Sequence, residues 1–133
     1  MRAAISTSPQ DAGLHHALGL TLTRLKQPGA ALMELGRAAE LEPDRARYAY
    51  VYAVALYSGG HIPDAMTALK NNLAKHPEDR DTLQALINFS RASGDVSGAL
   101  AYAERLAGIS PDDQGLARVI QELRPQVVKP NAK

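Results

Sequence analysis

The sequence predicts an all-α protein built from helical hairpins that recur every 34 residues, and three observations carry that prediction. Pro9, Pro43, Pro77 and Pro111 stand 34 positions apart, as do Ala31, Ala65 and Ala99. The apolar skeleton keeps the same phase: Leu18 coincides with Tyr52 and Leu86, Leu35 with Leu69 and Ala103, and Leu32 with Met66 and Leu100. Apolar residues at 45% and charged residues at 22% are ordinary globular values, and the abundance of Ala and Leu favours helix. A fixed period of this length signals stacked units, because one short hairpin cannot bury its apolar face alone.

The elements follow in order. Residues 1–11 are expected to be the remnant of a preceding repeat or an N-terminal extension, since Met1 to Pro9 fits the tail of a second helix. Repeat 1 spans 12–45, repeat 2 spans 46–79 and repeat 3 spans 80–113. Each holds two apolar segments at helical spacing around a breaker: Lys26-Gln27-Pro28-Gly29, Ser58-Gly59-Gly60 and Ser93-Gly94-Asp95. Each closes with proline and acidic residues, which stop one helix and set carboxylates at the positive end of the next. The stretch Tyr48 to Val54 alternates aromatic and β-branched residues as a strand would. Its intervening residues are Ala and Val rather than polar, however, and it shares the phase of Leu14–Leu25 and Leu83–Ala92, so helix is expected. Leu116, Val119, Ile120 and Leu123 then recur at i, i+3, i+4 and i+7, which predicts a capping helix over 114–124. Pro125 and Pro130 mark 125–133 as a flexible tail, for a total of about seven helices.

Composition excludes several function classes. Lys and Arg number 15 against 14 Asp and Glu, a net charge of +1 that is too even to favour nucleic acid or an anionic membrane. The absence of Cys removes disulfide scaffolds, thiolate metal sites and Cys nucleophiles. The longest apolar run, Tyr48 to Tyr57, is half of the roughly 20 residues a membrane-spanning helix needs. A soluble chain is expected, with the cytoplasm favoured and the periplasm second if the chain is a fragment.

With Gly19, Ala31, Ala38 and Pro43 in the first unit and Ala53, Ala65 and Pro77 in the second, the chain resembles the tetratricopeptide repeat (TPR) family over about 120 residues. The resemblance implies helix pairs stacked in a right-handed α-superhelix, whose first helices line a concave groove that holds a peptide or a partner's helix. The small residues are expected to let helices approach closely. Three positions depart from the pattern: Ile87, in phase with Gly19; Asn72, in phase with Ala38; and Ser90, in phase with Leu22. Looser packing is expected where the second and third units meet.

The phase then assigns groove positions. They are Gly13, His16, Leu20, Thr23 and Arg24; Arg47, Tyr50, Val54, Tyr57 and Ser58; and Asp81, Gln84, Asn88, Arg91 and Arg118. Of these, His16, Leu20, Arg24, Arg47, Tyr50, Val54, Tyr57, Gln84, Asn88, Arg91 and Arg118 are the candidate partner-binding residues. Tyr offers large contact area at little entropic cost, Asn and Gln can pair with an extended backbone, and Arg can fork a carboxylate. The set suits an acidic or C-terminal peptide of a protein partner. The bland reading is that single members pack against neighbouring helices or are solvated helix-end charges. Chaperone-binding members of the family use a clamp of Lys, Asn and Arg; here the matching positions hold His16, Leu20, Val51, Asp81 and Ala85, so the clamp is absent.

No phosphate loop, His-Glu-x-x-His pair or nucleophile elbow occurs, so no enzyme activity and no cofactor are expected. Adjacent His15 and His16 point about 100° apart on a helix and do not form a metal pair, so no metal site is expected. The Asn88-Phe89-Ser90 sequon lies mid-helix and is discounted. An Arg stripe with Tyr50 and Tyr57 could stack single-stranded nucleic acid, but Asp81 interrupts it and nucleic acid is disfavoured. The leading expectation is a non-enzymatic interaction module. The alternative is a structural segment of a longer repeat protein that stacks on an upstream domain or self-associates as a homo-oligomer.

Overall fold

The computed structural model describes residues 10–128, which form seven helices and no strand. In chain order these are α1 (Ala12–Arg24), α2 (Pro28–Leu41), α3 (Ala46–Ser58), α4 (Ile62–Lys75), α5 (Arg80–Ala92), α6 (Val96–Ile109) and α7 (Gln114–Val128). The helices α1, α3, α5 and α7 thus begin 34 residues apart. The Tyr-rich segment is helical inside α3, where repeat phase prevails over local strand propensity. The chain divides into two compact units, one ending at Lys75 and the other beginning at His76. Each is described by itself.

In the first unit α1 packs on α2, α2 on α3, and α3 on α4. Leu18, Leu22 and Ala31 form one apolar cluster, and Ala12, Ala38 and Tyr48 another. Gly19 is where the first hairpin closes most tightly: a Cβ there would lie 2.6 Å from Leu35 Cγ and Cδ2, and Leu35 is 1% exposed. His15, buried on the same helix, donates from Nδ1 to Glu34 Oε1 at 2.7 Å and ties α1 to α2. Asn72 is buried and donates from Nδ2 to the Ala46 carbonyl at 3.1 Å, which joins α4 to the start of α3. In the second unit α5 packs on α6 and α6 on α7, over a core that includes Leu83, Leu86, Ile87, Ala99, Ala103, Leu106, Leu116 and Leu123.

The punctuation is physical. Asp11, Asp79 and Asp113 each accept a hydrogen bond from the backbone N–H three residues on, of Leu14, Thr82 and Leu116 respectively, and so cap α1, α5 and α7. Asp79 also accepts from the buried Thr82 hydroxyl. The fourth in-phase position is Arg45, and α3 has no side-chain cap. At the other end of these hairpin-opening helices the chain closes on paired bonds. Lys26 and Gln27 N–H reach the Thr23 and Leu22 carbonyls, Gly60 and His61 reach Tyr57 and Leu56, and Gly94 and Asp95 reach Arg91 and Ser90. This closure needs one left-handed residue. Gly60 and Gly94 supply it with φ of 87° and 85°, whereas the first hairpin uses Lys26, φ 60°.

One boundary is corrected. The capping helix expected over 114–124 runs on to Val128, so 125–128 are helix rather than tail. Pro125 is tolerated because it is exposed, where water can serve the carbonyl its missing N–H would have met. The Gln126 side chain adds a donor in the same turn, to the Glu122 carbonyl at 2.9 Å. The rest of the expected tail, and residues 1–9 of the expected N-terminal remnant, lie outside the described residues.

Candidate partner-binding site

Within the first unit, the spaced small residues leave a gap beside the large ones. Leu20 and Thr23 of α1, Ala31 and Leu35 of α2, and Tyr50, Val51, Val54, Ala55 and Ser58 of α3 line a cleft of about 560 Å³. Lys26 and Gly59, at the bends of the two hairpins, and Pro28, the first residue of α2, complete its lining. The volume lies within the range of pockets that hold a small molecule or an anchoring side chain. Leu20 is 38% exposed, large for a leucine flanked on its helix by buried Leu18, Gly19 and Leu22.

The charges on the α1 and α3 walls of the cleft have one sign. Neither α1 nor α3 contains Asp or Glu, while Arg24 lies on the first and Arg47 on the second. Arg24 donates to the Thr21 hydroxyl at 3.3 Å. The Arg47 guanidinium stands 5.6 Å from the centroid of the Tyr50 ring, so a cation is held on one of the rings that line the cleft. Glu34 of α2 is engaged by His15. Lys26 is exposed and makes no ion pair with the described residues.

The residues expected from repeat phase divide into seven in the first unit and four in the second. Leu20, Tyr50 and Val54 line the cleft together. His16 takes another position: it is half-buried and stacked on Tyr48, ring centroids 4.5 Å apart, with the Arg45 guanidinium 5.0 Å from the same Tyr48 ring. Burial, followed by the charges of Arg47 and Arg45, lowers the His16 pKa below its ordinary value and favours the neutral imidazole. Its Nδ1 is buried without a hydrogen-bond partner, which also suits a neutral packing role. Arg24, Arg47 and Tyr57 stand outside the lining. In the second unit Gln84 donates to Asn88 at 3.1 Å on the exposed face of α5, Arg91 pairs with Glu122 of α7 at 3.4 Å, and Arg118 is exposed.

Phase reasoning took groove residues from one face of the first helix of each hairpin, and so missed Pro28, Ala31 and Leu35 of α2, Lys26 and Gly59 at the bends, and Val51 and Ala55 on the adjoining flank of α3. The signal for Lys26 was present: it stands in phase with Gly60 and Gly94, a lysine where the other hairpins carry glycine. Among the described residues no group of three His, Asp or Glu is placed to hold a metal ion, and no helix is long and apolar enough to cross a membrane.

No family profile matches the chain. Among curated proteins it is 36% identical over 78 residues to the human PEX5-related protein, an alignment covering 59% of this chain and 12% of that protein. The chain thus spans about an eighth of the length of that relative. Among solved structures, MamA from Desulfovibrio magneticus RS-1 superposes with a TM-score of 0.77 at 19% identity, covering 89% of this chain and 67% of that one. The first TPR of Spaghetti (RPAP3), bound to an HSP90 peptide, superposes with a TM-score of 0.74 at 12% identity, covering 89% and 96%.

Proposed function

The chain has the tetratricopeptide-repeat fold, and we propose that it is a non-enzymatic interaction module whose first unit receives a peptide or helix of a protein partner between α1 and α3. The observation that carries this reading is the cleft of about 560 Å³, lined on its α1 and α3 sides by Leu20, Tyr50 and Val54. Apolar lining with few polar groups suits an inserted side chain, which gains from burial. Tyr50 is the natural anchor, since its ring is broad and stiff and is backed by Arg47. The peptide held by the RPAP3 repeat domain shows that the same fold accepts such a ligand in another protein. The chaperone-type clamp residues are absent here, so the partner is read as a different segment.

Leu20→Arg and Tyr50→Ala test the assignment. Leu20 is already part exposed, so arginine there is accommodated without loss of the core and places a charge and bulk in the cleft. Affinity capture from a lysate of the source organism, compared by quantitative mass spectrometry, is expected to yield a protein that wild type enriches and the double variant loses at equal helicity. Equal capture by the two forms overturns the cleft as the site. A dimer that forms with rising concentration and survives both substitutions favours the self-association reading instead.

A further inference from the structure

Lys26 combines three properties that coincide nowhere else among the described residues. It holds the left-handed backbone position that Gly60 and Gly94 fill in the other hairpins, it lines the cleft, and it makes no ion pair with the described residues. A lysine at φ 60° is held at a cost that glycine at the same place avoids. The bond pattern around it is the same as at the two glycines, so the turn itself does not require the lysine. Backbone strain kept at a ligand-sized cleft is a recognised companion of function.

We propose that Lys26 determines specificity at this cleft, by pairing its ammonium with a carboxylate of a partner segment that inserts an apolar side chain beside Leu20 and Tyr50. The inference rests on the reading of the cleft as a peptide site and adds the chemistry of the occupant: an apolar anchor with an Asp or Glu close to it in the chain. Charge complementarity selects that occupant. Of the helices that line the cleft, α1 and α3 carry Arg24 and Arg47 and no carboxylate, while Glu34 and Glu40 of α2 are engaged by His15 and Arg37, so the α1 and α3 walls attract an acidic segment and repel a basic one. The left-handed backbone fixes where the lysine stem leaves the turn, which lowers the entropy lost when the ammonium is engaged.

The test uses the full chain and a random dodecapeptide display library as probe. Selections run on wild type, Lys26→Asn, Lys26→Gly, Lys26→Arg and Leu20→Arg; Asn and Gly both accept the left-handed backbone, so these neutral variants keep the fold. Wild type is expected to enrich peptides that pair a bulky apolar residue with Asp or Glu, and Leu20→Arg to lose them. Both neutral Lys26 variants are expected to keep the apolar preference and lose the acidic one, and Lys26→Arg to retain both. For a selected peptide, changing its acidic residue to the amide should weaken wild-type binding about threefold to tenfold and leave Lys26→Asn binding unchanged. Acidic enrichment that persists in both neutral variants overturns the role of Lys26 while sparing the cleft. Failure of wild type to select any peptide that Leu20→Arg loses overturns the cleft reading, and the Lys26 proposal with it.

Discussion

Gly19→Ala probes the closest approach between α1 and α2. The added methyl would lie 2.6 Å from Leu35 Cγ and Cδ2 and 3.2 Å from the Leu35 backbone nitrogen. Non-bonded carbons rest at about 3.5–4.0 Å, so the overlap is roughly 1 Å. Leu35 is 1% exposed, so either it leaves its rotamer towards the cleft it helps line or α1 moves off α2. Overpacking of this kind costs about 1–3 kcal/mol. An overlap of about 1 Å that also crowds the Leu35 backbone nitrogen belongs in the upper half of that range, about 2–3 kcal/mol, and helix propensity returns about 1 kcal/mol on exchanging glycine for alanine, which leaves a net loss of about 1–2 kcal/mol. Thermal unfolding followed by far-UV circular dichroism should therefore show Tm falling by roughly 3–10 °C. Gly108→Ala is the matched control, because a Cβ there meets nothing within 4 Å. That variant is expected to gain about 0.5–1 kcal/mol. If Gly19→Ala proves as stable as wild type or more so, the tight hairpin contact is wrong and the space argument for the small residues fails with it.

Three further outcomes are expected. Asp79→Ala removes the cap of α5 and one acceptor of the buried Thr82 hydroxyl, and should cost about 1–2 kcal/mol in chemical denaturation. Lys26→Gly relieves a left-handed lysine and should raise stability by about 1 kcal/mol, so a loss of stability would show that the lysine is unstrained. The depressed pKa of His16 means that the unfolded chain binds more protons below about pH 6.5, so stability falls as pH drops through that window. His16→Phe, which preserves a stacked ring on Tyr48, should flatten that part of the Tm against pH profile, and an unchanged slope would remove His16 from its origin.

What the sequence disclosed follows from what the period records. Proline, alanine and leucine recurring at 34 residues report which faces must stack, so the hairpins and even the helical state of the Tyr48 to Val54 segment could be read against local propensity. The acidic residues after Pro77 and Pro111 likewise placed carboxylates at the starts of α5 and α7, where Asp79 and Asp113 are the caps. The end of α7 could not, because whether a helix survives Pro125 depends on exposure and on a nearby donor such as Gln126, neither of which periodicity reports. The candidate site was legible in part for the same reason. Phase names the face on which His16, Leu20, Tyr50 and Arg91 sit, but the neighbour that fills the space decides what each does. His16 meets Tyr48, Arg91 meets Glu122, and Leu20 and Tyr50 meet open volume. Lys26 was obscured because it belongs to a bend, and bends were read only as breaks between helices.

The missing cap at Arg45 has a dynamic consequence. Its side chain accepts nothing from the first turn of α3, and its charge opposes the positive end of the helix dipole. The opening turn of α3 should therefore fray more readily than those of α1, α5 and α7, and its amides should exchange with solvent deuterium sooner. Arg47 and Tyr50 ride on the first five residues of that helix, so one wall of the cleft is compliant where the facing α1 wall, capped by Asp11, is firm. A ligand that settles against Tyr50 would then slow amide exchange at the start of α3 and leave the already protected start of α1 unchanged.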